Sequence, residues 1–105
     1  MNPLNPIIVL IKNEERHHAG SFYVEEDGKR VAEMRYLIRD GIMNIYHTEV
    51  KPDLGGHKIG FQLVETGVKF ARENNLQILP TCSFARSVFD RTPEFADVRV
   101  QEEEE

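Results

Sequence analysis

Two Asp-Gly dipeptides, Asp27-Gly28 and Asp40-Gly41, constrain this chain most, because strand-like segments stand on both sides of each. Asp-Gly is strongly favoured in two-residue hairpin turns, where both turn residues need positive φ. Apolar side chains alternate with other residues along these segments, as in strands with one buried face. The alternating residues are Phe22, Val24, Ala32, Met34, Tyr36 and Ile38. The pattern predicts an antiparallel meander that ends with a long strand, Ile42–Val50, and a branched segment over residues 7–12 predicts a strand before it.

The second half of the chain has a different period. Apolar residues recur at helical spacing between Ile59 and Asn74, which predicts an amphipathic helix. A short apolar strand is predicted from Leu76 to Thr81, and a second helix over Ser83–Arg91, closed by Thr92-Pro93. A strand, a helix and a further strand form a crossover that makes the two strands parallel. The predicted fold is therefore α+β, with a mixed sheet, first antiparallel and then parallel.

Length and charge limit what the chain can do. Its 105 residues fit a single domain, predicted over residues 1–100, and residues 101–105 are predicted to be an acidic disordered tail. The net charge is -5, but without the four glutamates at 102–105 it is only -1. This charge argues against a nucleic-acid binder, which needs a basic surface. The longest apolar run is far below the ~20 residues of a membrane span.

Cysteine usage points to a compartment. The chain has one cysteine, Cys82, which cannot form an internal disulfide. Its N-terminus lacks the charged start and cleavage site of a signal peptide. These features predict a cytoplasmic protein in a reducing environment.

A ligand site is predicted at the carboxyl ends of the parallel strands, where open α/β sheets bind ligands. These ends are Val50 and Cys82, and the loop after Val50 leads directly into a helix. A helix N-terminus offers unpaired N–H groups to an anion. Nearby glycines would let an anion approach the backbone, and Lys58 or His57 would add positive charge. A double glycine before a helix is also common in ordinary loops.

Three stretches together resemble the small, roughly hundred-residue branch of the GNAT superfamily of N-acetyltransferases. They are Ile45-Tyr46-His47-Thr48-Glu49-Val50, Gly56-His57-Lys58-Ile59-Gly60 followed by Leu63-Val64, and Leu79-Pro80-Thr81-Cys82-Ser83-Phe84. The resemblance covers the chain from about Ser21 to Val98. It implies a GNAT-like sheet that is splayed open between the strand ending at Val50 and the strand ending near Cys82.

The resemblance also implies acetyl-coenzyme A as co-substrate, lying in that splay, and an unidentified amine, on a small molecule or a protein, as acceptor. The pantetheine arm would pair with backbone at Thr48, Glu49 and Val50, and the pyrophosphate would rest on N–H groups of residues 56–61. The implied cofactor-binding residues are Thr48, Val50, Gly55, Gly56, His57, Lys58, Ile59, Gly60, Phe61, Ser83 and Phe84. The phosphate loop departs from the superfamily pattern, because Gly55 replaces a Gln or Arg and Lys58 replaces a glycine.

Three residues are candidates for catalysis, and each has a structural alternative. Cys82 precedes a predicted helix, where a thiolate is favoured, so it is a candidate acetyl carrier or proton donor, or else a small core residue. Simple alternation places His47 and Glu49 on one face of their strand with Ile45, and either is a candidate base for the amine, or else part of a cross-strand polar pair. Glu33 is a weaker candidate of the same kind.

No metal site is predicted, because the adjacent pair His17-His18 has no neighbouring ligands at suitable spacing. Three functions remain open from the sequence: an active N-acetyltransferase, an acyl-coenzyme A binding module without turnover, and an interaction protein that keeps only the fold. The chain is expected to be a monomer or a homodimer.

Overall fold

A computed structural model describes residues 9–54 and 56–101, and of residues 56 and 57 only the backbone. Within that part of the chain, five strands form one sheet in the order β1-β2-β3-β4-β5. The elements in chain order are β1 Lys12–Arg16, β2 Ala19–Glu26, β3 Lys29–Arg39, β4 Ile42–Val50, α1 Gly56–Glu73, β5 Gln77–Pro80 and α2 Ser83–Arg91, with short 3-10 helices at Pro52–Leu54 and Pro93–Val98.

Tight turns connect the first four strands into the predicted antiparallel meander. All four residues of the two Asp-Gly turns have positive φ, between 52° and 77°. A third turn, at His17 and His18, also has positive φ at both positions (55° and 68°) and was not predicted. It fixes the pairing of β1 with β2.

The first strand was predicted too early in the sequence. Residues 7 and 8 lie outside the described part, Val9 to Ile11 are not in a strand, and β1 begins at Lys12. The His17-His18 turn sets this position, since the five residues before it pair with Ala19–Tyr23. Val9 and Ile11 instead pack against the core from outside the sheet.

Helix α1 covers one face of the sheet and closes the core. Its apolar stripe is buried at Leu63, Val64, Val68 and Ala71, as the helical spacing predicts. Gly67 lies on the same face, and a Cβ there would come within 2.9 Å of the Met34 side chain. The helix begins three residues before the predicted Ile59, at Gly56. The loop after β4 is therefore short, and the helix starts close to the end of that strand.

The end of the chain adds a further contact beyond β5. After α2, the 3-10 helix Pro93–Val98 returns the chain to the sheet, where Arg99 forms an isolated parallel bridge with Ile78. The sequence patterns did not indicate this segment. No helix in the described ranges is long and apolar enough to cross a membrane. The acidic residues 102–105 lie outside the described part.

Candidate functional site at the opening between β4 and β5

Strands β4 and β5 pair for only part of their length. Four residue pairs join them, from Ile42 with Gln77 to Ile45 with Pro80. The N–H groups of Thr81 and Cys82 then both donate to the Ile45 carbonyl, at 3.0 and 3.1 Å. Beyond that carbonyl, β4 continues to Val50 paired with β3, while the chain after β5 turns into α2. The two strands therefore part, as predicted, and leave the β5 side of residues 46–50 open.

A bulge in β4 decides which side chains face this opening. Tyr36 pairs with Ile45 but Arg35 pairs with His47, so Tyr46 is an extra residue in β4. Such a residue reverses the alternation of the side chains that follow it. Past the bulge, Thr48 lies opposite the buried Met34, on the core side, and His47 lies opposite the exposed Arg35. Simple alternation was therefore wrong in grouping His47 and Glu49 with Ile45.

Cys82 lies at the narrow end of the opening and caps α2. Its sulfur accepts a hydrogen bond from the Ala85 N–H at 3.4 Å, as the N-cap side chain of that helix. The same sulfur lies 3.3 Å from the Thr48 hydroxyl on the opposite strand. The side chain is partly buried, and the sulfur is free of any disulfide. The structure thus brings Cys82 together with Thr48.

His47 and Glu49 meet on the outer face of the sheet, where the His47 Nε2 lies 3.3 Å from a Glu49 carboxylate oxygen. Glu33 joins them, and each of the three offers a possible ligand atom within 4.8 Å of the others. Glu33 is already paired with Arg30 at 3.3 Å and Arg35 at 2.9 Å. Two arginines thus already occupy the Glu33 carboxylate, while His47 and Glu49 bond to each other.

Arg30 connects Glu33 of this cluster to β1, the edge strand of the sheet. Its guanidinium contacts Glu14 at 2.6 Å and lies over the Tyr23 ring, 3.8 Å from the ring centre. The hydrogen bond to Glu14, with a smaller contribution from Glu33, raises the pKa of Arg30 above its ordinary value. Arg30 therefore stays charged under all working conditions and holds Glu33 in a fixed position.

The start of α1 borders a cavity of about 510 Å³ beside α2. Lys58 and Phe61 line it from α1, and Arg91 and Thr92 line it from the end of α2. Lys58 is exposed. The backbone N–H groups of residues 56–58 precede the first intrahelical donor and have no partner within the helix. Two cations, Lys58 and Arg91, therefore border one space near the start of α1, and the sequence patterns did not point to Arg91 or Thr92.

The remaining predicted cofactor residues have different settings. Ile59 is buried and Gly60 is covered by Phe84, since a Cβ on Gly60 would lie 2.5 Å from the Phe84 ring. Phe61 stacks on Phe95 at 5.7 Å between ring centres. The other residues fall into three groups. Val50 is the last residue of β4, Ser83 is the exposed first residue of α2, and Gly55 and the His57 side chain lie outside the described part, as does the burial of Gly56.

A mixed sheet whose parallel strands part beside a helix N-terminus is the architecture of a GNAT-type acyltransferase. The model of the family described as GCN5-related N-acetyl-transferase matches residues 21–98, and the chain belongs to this family. The family and its solved relatives identify the protein as an N-acetyltransferase. The matched range agrees with the extent of the resemblance in the sequence.

Solved structures support this assignment. A GCN5-like N-acetyltransferase homologue from Staphylococcus aureus is 32% identical, with 88% of this chain and 90% of that chain covered and a TM-score of 0.67. The ribosomal-protein-alanine N-acetyltransferase of Brucella melitensis biovar Abortus 2308 is 13% identical, with 86% and 67% covered and a TM-score of 0.63. An aminoglycoside acetyltransferase from an uncultured soil metagenomic sample is 16% identical, with 86% and 62% covered and a TM-score of 0.58. The last two show a shared fold alone. No curated protein sequence matches the chain significantly.

Proposed function

We propose that this protein transfers an acetyl group from acetyl-coenzyme A to an amine, with the cofactor lying in the opening between β4 and β5. The observation that carries the proposal is the early end of the β4–β5 ladder at the Ile45 carbonyl. The β5 side of residues 46–50 is then available to an amide-bearing chain such as pantetheine, which pairs as an added strand does. The pyrophosphate would lie at the N-terminus of α1, near Lys58 and Arg91.

Cys82 is the proposed catalytic residue, either as the carrier of the acetyl group or as the proton donor to the coenzyme A sulfur. In a covalent route, its sulfur bonds to the acetyl carbon, the bond from that carbon to the coenzyme A sulfur breaks, and the thiol proton ends on the departing sulfur. The amine then attacks the acetyl carbon, the bond from that carbon to the Cys82 sulfur breaks, and the proton that the amine loses restores the Cys82 thiol. In a direct route, the amine attacks the acetyl carbon itself and the bond to the coenzyme A sulfur breaks. Cys82 then only passes a proton to the departing sulfur and regains one from the amine. A reducing compartment such as the cytoplasm would keep this thiol free.

His47 and Glu49 are the proposed acceptor-side residues. They flank Thr48 along β4 but face the outer side of the sheet, so an amine would approach from that side. The acceptor amine must lose a proton to become nucleophilic, and a histidine bonded to a carboxylate is a suitable base. The negative charge of Glu49 also attracts an ammonium group before it is deprotonated.

Binding is tested first, by calorimetric titration of the full chain with acetyl-coenzyme A. We expect a binding isotherm. A flat titration at millimolar ligand would indicate an interaction protein that keeps only the fold. Transfer is tested next, by incubation with acetyl-coenzyme A and a panel of amines. A thiol reagent that detects released coenzyme A would also react with Cys82. The acetylated amine is therefore measured instead, by mass spectrometry. Binding without any product would point to an acyl-coenzyme A module without turnover.

The two routes through Cys82 differ in one intermediate. Incubation with acetyl-coenzyme A and no amine, followed by intact-mass measurement, should add the mass of one acetyl group in the covalent route and nothing in the direct route. Cys82→Ser is the control for the site of addition. A Cys82→Ala variant that keeps full transferase activity would exclude both chemical roles.

A further inference from the structure

The Cys82 sulfur has two hydrogen-bonding neighbours, and they come from different sides of the opening. The Ala85 N–H lies in the first turn of α2, 3.4 Å from the sulfur. The Thr48 hydroxyl lies on β4, 3.3 Å from it, and Thr48 and Cys82 are not joined by any strand pairing. A side-chain contact thus crosses the opening just past the point where the backbone ladder ends.

We propose that Thr48 is a positioning residue, whose hydroxyl directs the Cys82 sulfur and donates a hydrogen bond to it whenever that sulfur carries negative charge. The proposal rests on the function above, in which Cys82 takes part in acetyl transfer. In either route the sulfur gains or releases a proton, so its charged form must be accommodated. Hydrogen bonds to a charged atom are roughly twice as strong as neutral ones.

The bulge at Tyr46 gives Thr48 this position. If the same sequence paired with β3 without a bulge, Tyr46 would lie opposite Arg35 and His47 would lie opposite Met34, on the core side. With the bulge, a short hydroxyl side chain reaches the sulfur. The backbone N–H of Ala85 is present whatever the side chain, so the Thr48 hydroxyl is the partner that a substitution removes most cleanly.

An alternative is that Thr48 only covers the sulfur. The two roles predict different results for the same variant, Thr48→Val, which keeps the shape and removes the hydroxyl. A covering role predicts an unchanged rate of reaction between Cys82 and a small alkylating agent, because valine still covers the sulfur. A positioning role predicts slower reaction, because the reactive thiolate has lost a donor.

The experiment measures the rate of Cys82 alkylation by iodoacetamide on the full chain at neutral pH, without acetyl-coenzyme A. Cys82 is the chain's single cysteine, so no other thiol contributes. Thr48→Val should react about tenfold more slowly than the natural chain, the size expected for one lost hydrogen bond to a charged atom. Thr48→Ser restores the hydroxyl and should restore the rate. Thr66→Val, which removes a hydroxyl bonded within α1, is the matched control and should change nothing.

An equal or faster rate in Thr48→Val, or no recovery in Thr48→Ser, would overturn the proposal. If Thr48→Val does not fold, Thr48→Ala serves, with each rate divided by that of the same chain unfolded in urea. The assay needs neither cofactor nor turnover, so its failure is separate from failure of the proposed function. In an active enzyme, Thr48→Val should lower kcat for transfer and leave KM for acetyl-coenzyme A nearly unchanged.

Discussion

Lys58 is the residue at which this chain departs most visibly from the superfamily's phosphate loop. It lies in the first turn of α1 with its side chain exposed, beside the same cavity as Arg91. An obstructing side chain would have to fill the space over the helix N-terminus, whereas an exposed one can move to meet an anion. The position therefore favours a lysine that contributes charge to a bound phosphate.

We expect Lys58→Gln, which keeps most of the side chain and removes its charge, to weaken acetyl-coenzyme A binding about tenfold, as for one lost charge-assisted hydrogen bond. Calorimetry at fixed ionic strength measures the change. Lys69→Gln on the exposed side of α1 is the control and should bind normally. Tighter binding by Lys58→Gly would show instead that the Cβ obstructs the loop.

His47 and Glu49 give a second prediction at this scale. If they form the acceptor-side base, His47→Gln and Glu49→Gln should lower kcat for transfer by roughly a hundredfold or more, the usual contribution of a positioned base. Acetyl-coenzyme A affinity should stay unchanged, because both side chains face away from the core side of the opening. The turn residue His18 and the exposed Glu26 supply matched substitutions to Gln. Losses no larger than those of the controls would exclude the base role.

The packing of α1 against α2 shapes the region around Lys58 and Arg91, where the pyrophosphate is proposed to bind. Gly60 and the Phe84 ring form the centre of this packing, and beside it Phe61 stacks on Phe95 of the 3-10 helix that follows α2. The same approach of the two helices brings Arg91 beside Lys58. Gly60 is therefore needed for helix packing, whatever part its backbone has near a phosphate.

Gly60→Ala should destabilise the fold by about 1–3 kcal/mol, because the added methyl group overlaps the Phe84 ring. Phe84→Leu removes part of that ring, so the double variant should be more stable than the sum of the two single changes predicts. Urea unfolding of all four chains gives the coupling. Additive losses would mean that Phe84 does not resist the methyl group. If Gly60 matters only for packing, the double variant should bind acetyl-coenzyme A as Phe84→Leu does.

The elements themselves were largely predictable, since local signals define them. Both Asp-Gly turns and the limits of α2 agree with the sequence patterns. The site was less predictable, because two of its features depend on tertiary structure. A bulge leaves no mark in the residue types of β4, so the exchange of faces after Tyr46 was missed. Arg91 comes near Lys58 only through helix packing, which no spacing in the chain records.

At the scale of the whole molecule, the meander is joined to the core through Tyr36. Its side chain is fully buried, with its ring against Phe22 and Phe70. The hydroxyl donates to a Glu15 carboxylate oxygen at 2.8 Å and accepts from the Asn13 amide at 3.0 Å, so the core is bonded to edge strand β1. A Cβ on Gly20 would lie 2.7 Å from that hydroxyl oxygen, so a glycine on β2 gives the hydroxyl its room.

This arrangement makes the stability of the whole fold sensitive to alkaline pH. Burial, which outweighs the Asn13 hydrogen bond, together with nearby Glu15, raises the pKa of Tyr36 from 10.0 to about 12. The folded chain therefore holds the phenol proton more tightly than the unfolded chain does. The stability from this difference is fully present below pH 10 and is lost as the pH rises from about 10 to about 12. Tyr36→Phe has no phenol at this position, so it does not lose this stability in the same pH range.

We therefore expect Tyr36→Phe to be less stable than the natural chain at neutral pH by about 1 kcal/mol, for the lost hydrogen bonds. Above pH 10 the difference in Tm between the two proteins should shrink, because the natural chain alone loses the contribution of Tyr36. Effects of pH that do not involve Tyr36 are common to both chains and cancel in the comparison. Thermal unfolding at several values of pH, read by circular dichroism, measures it. A Tm difference that stays constant through pH 12 would show that burial does not keep Tyr36 neutral in the folded chain.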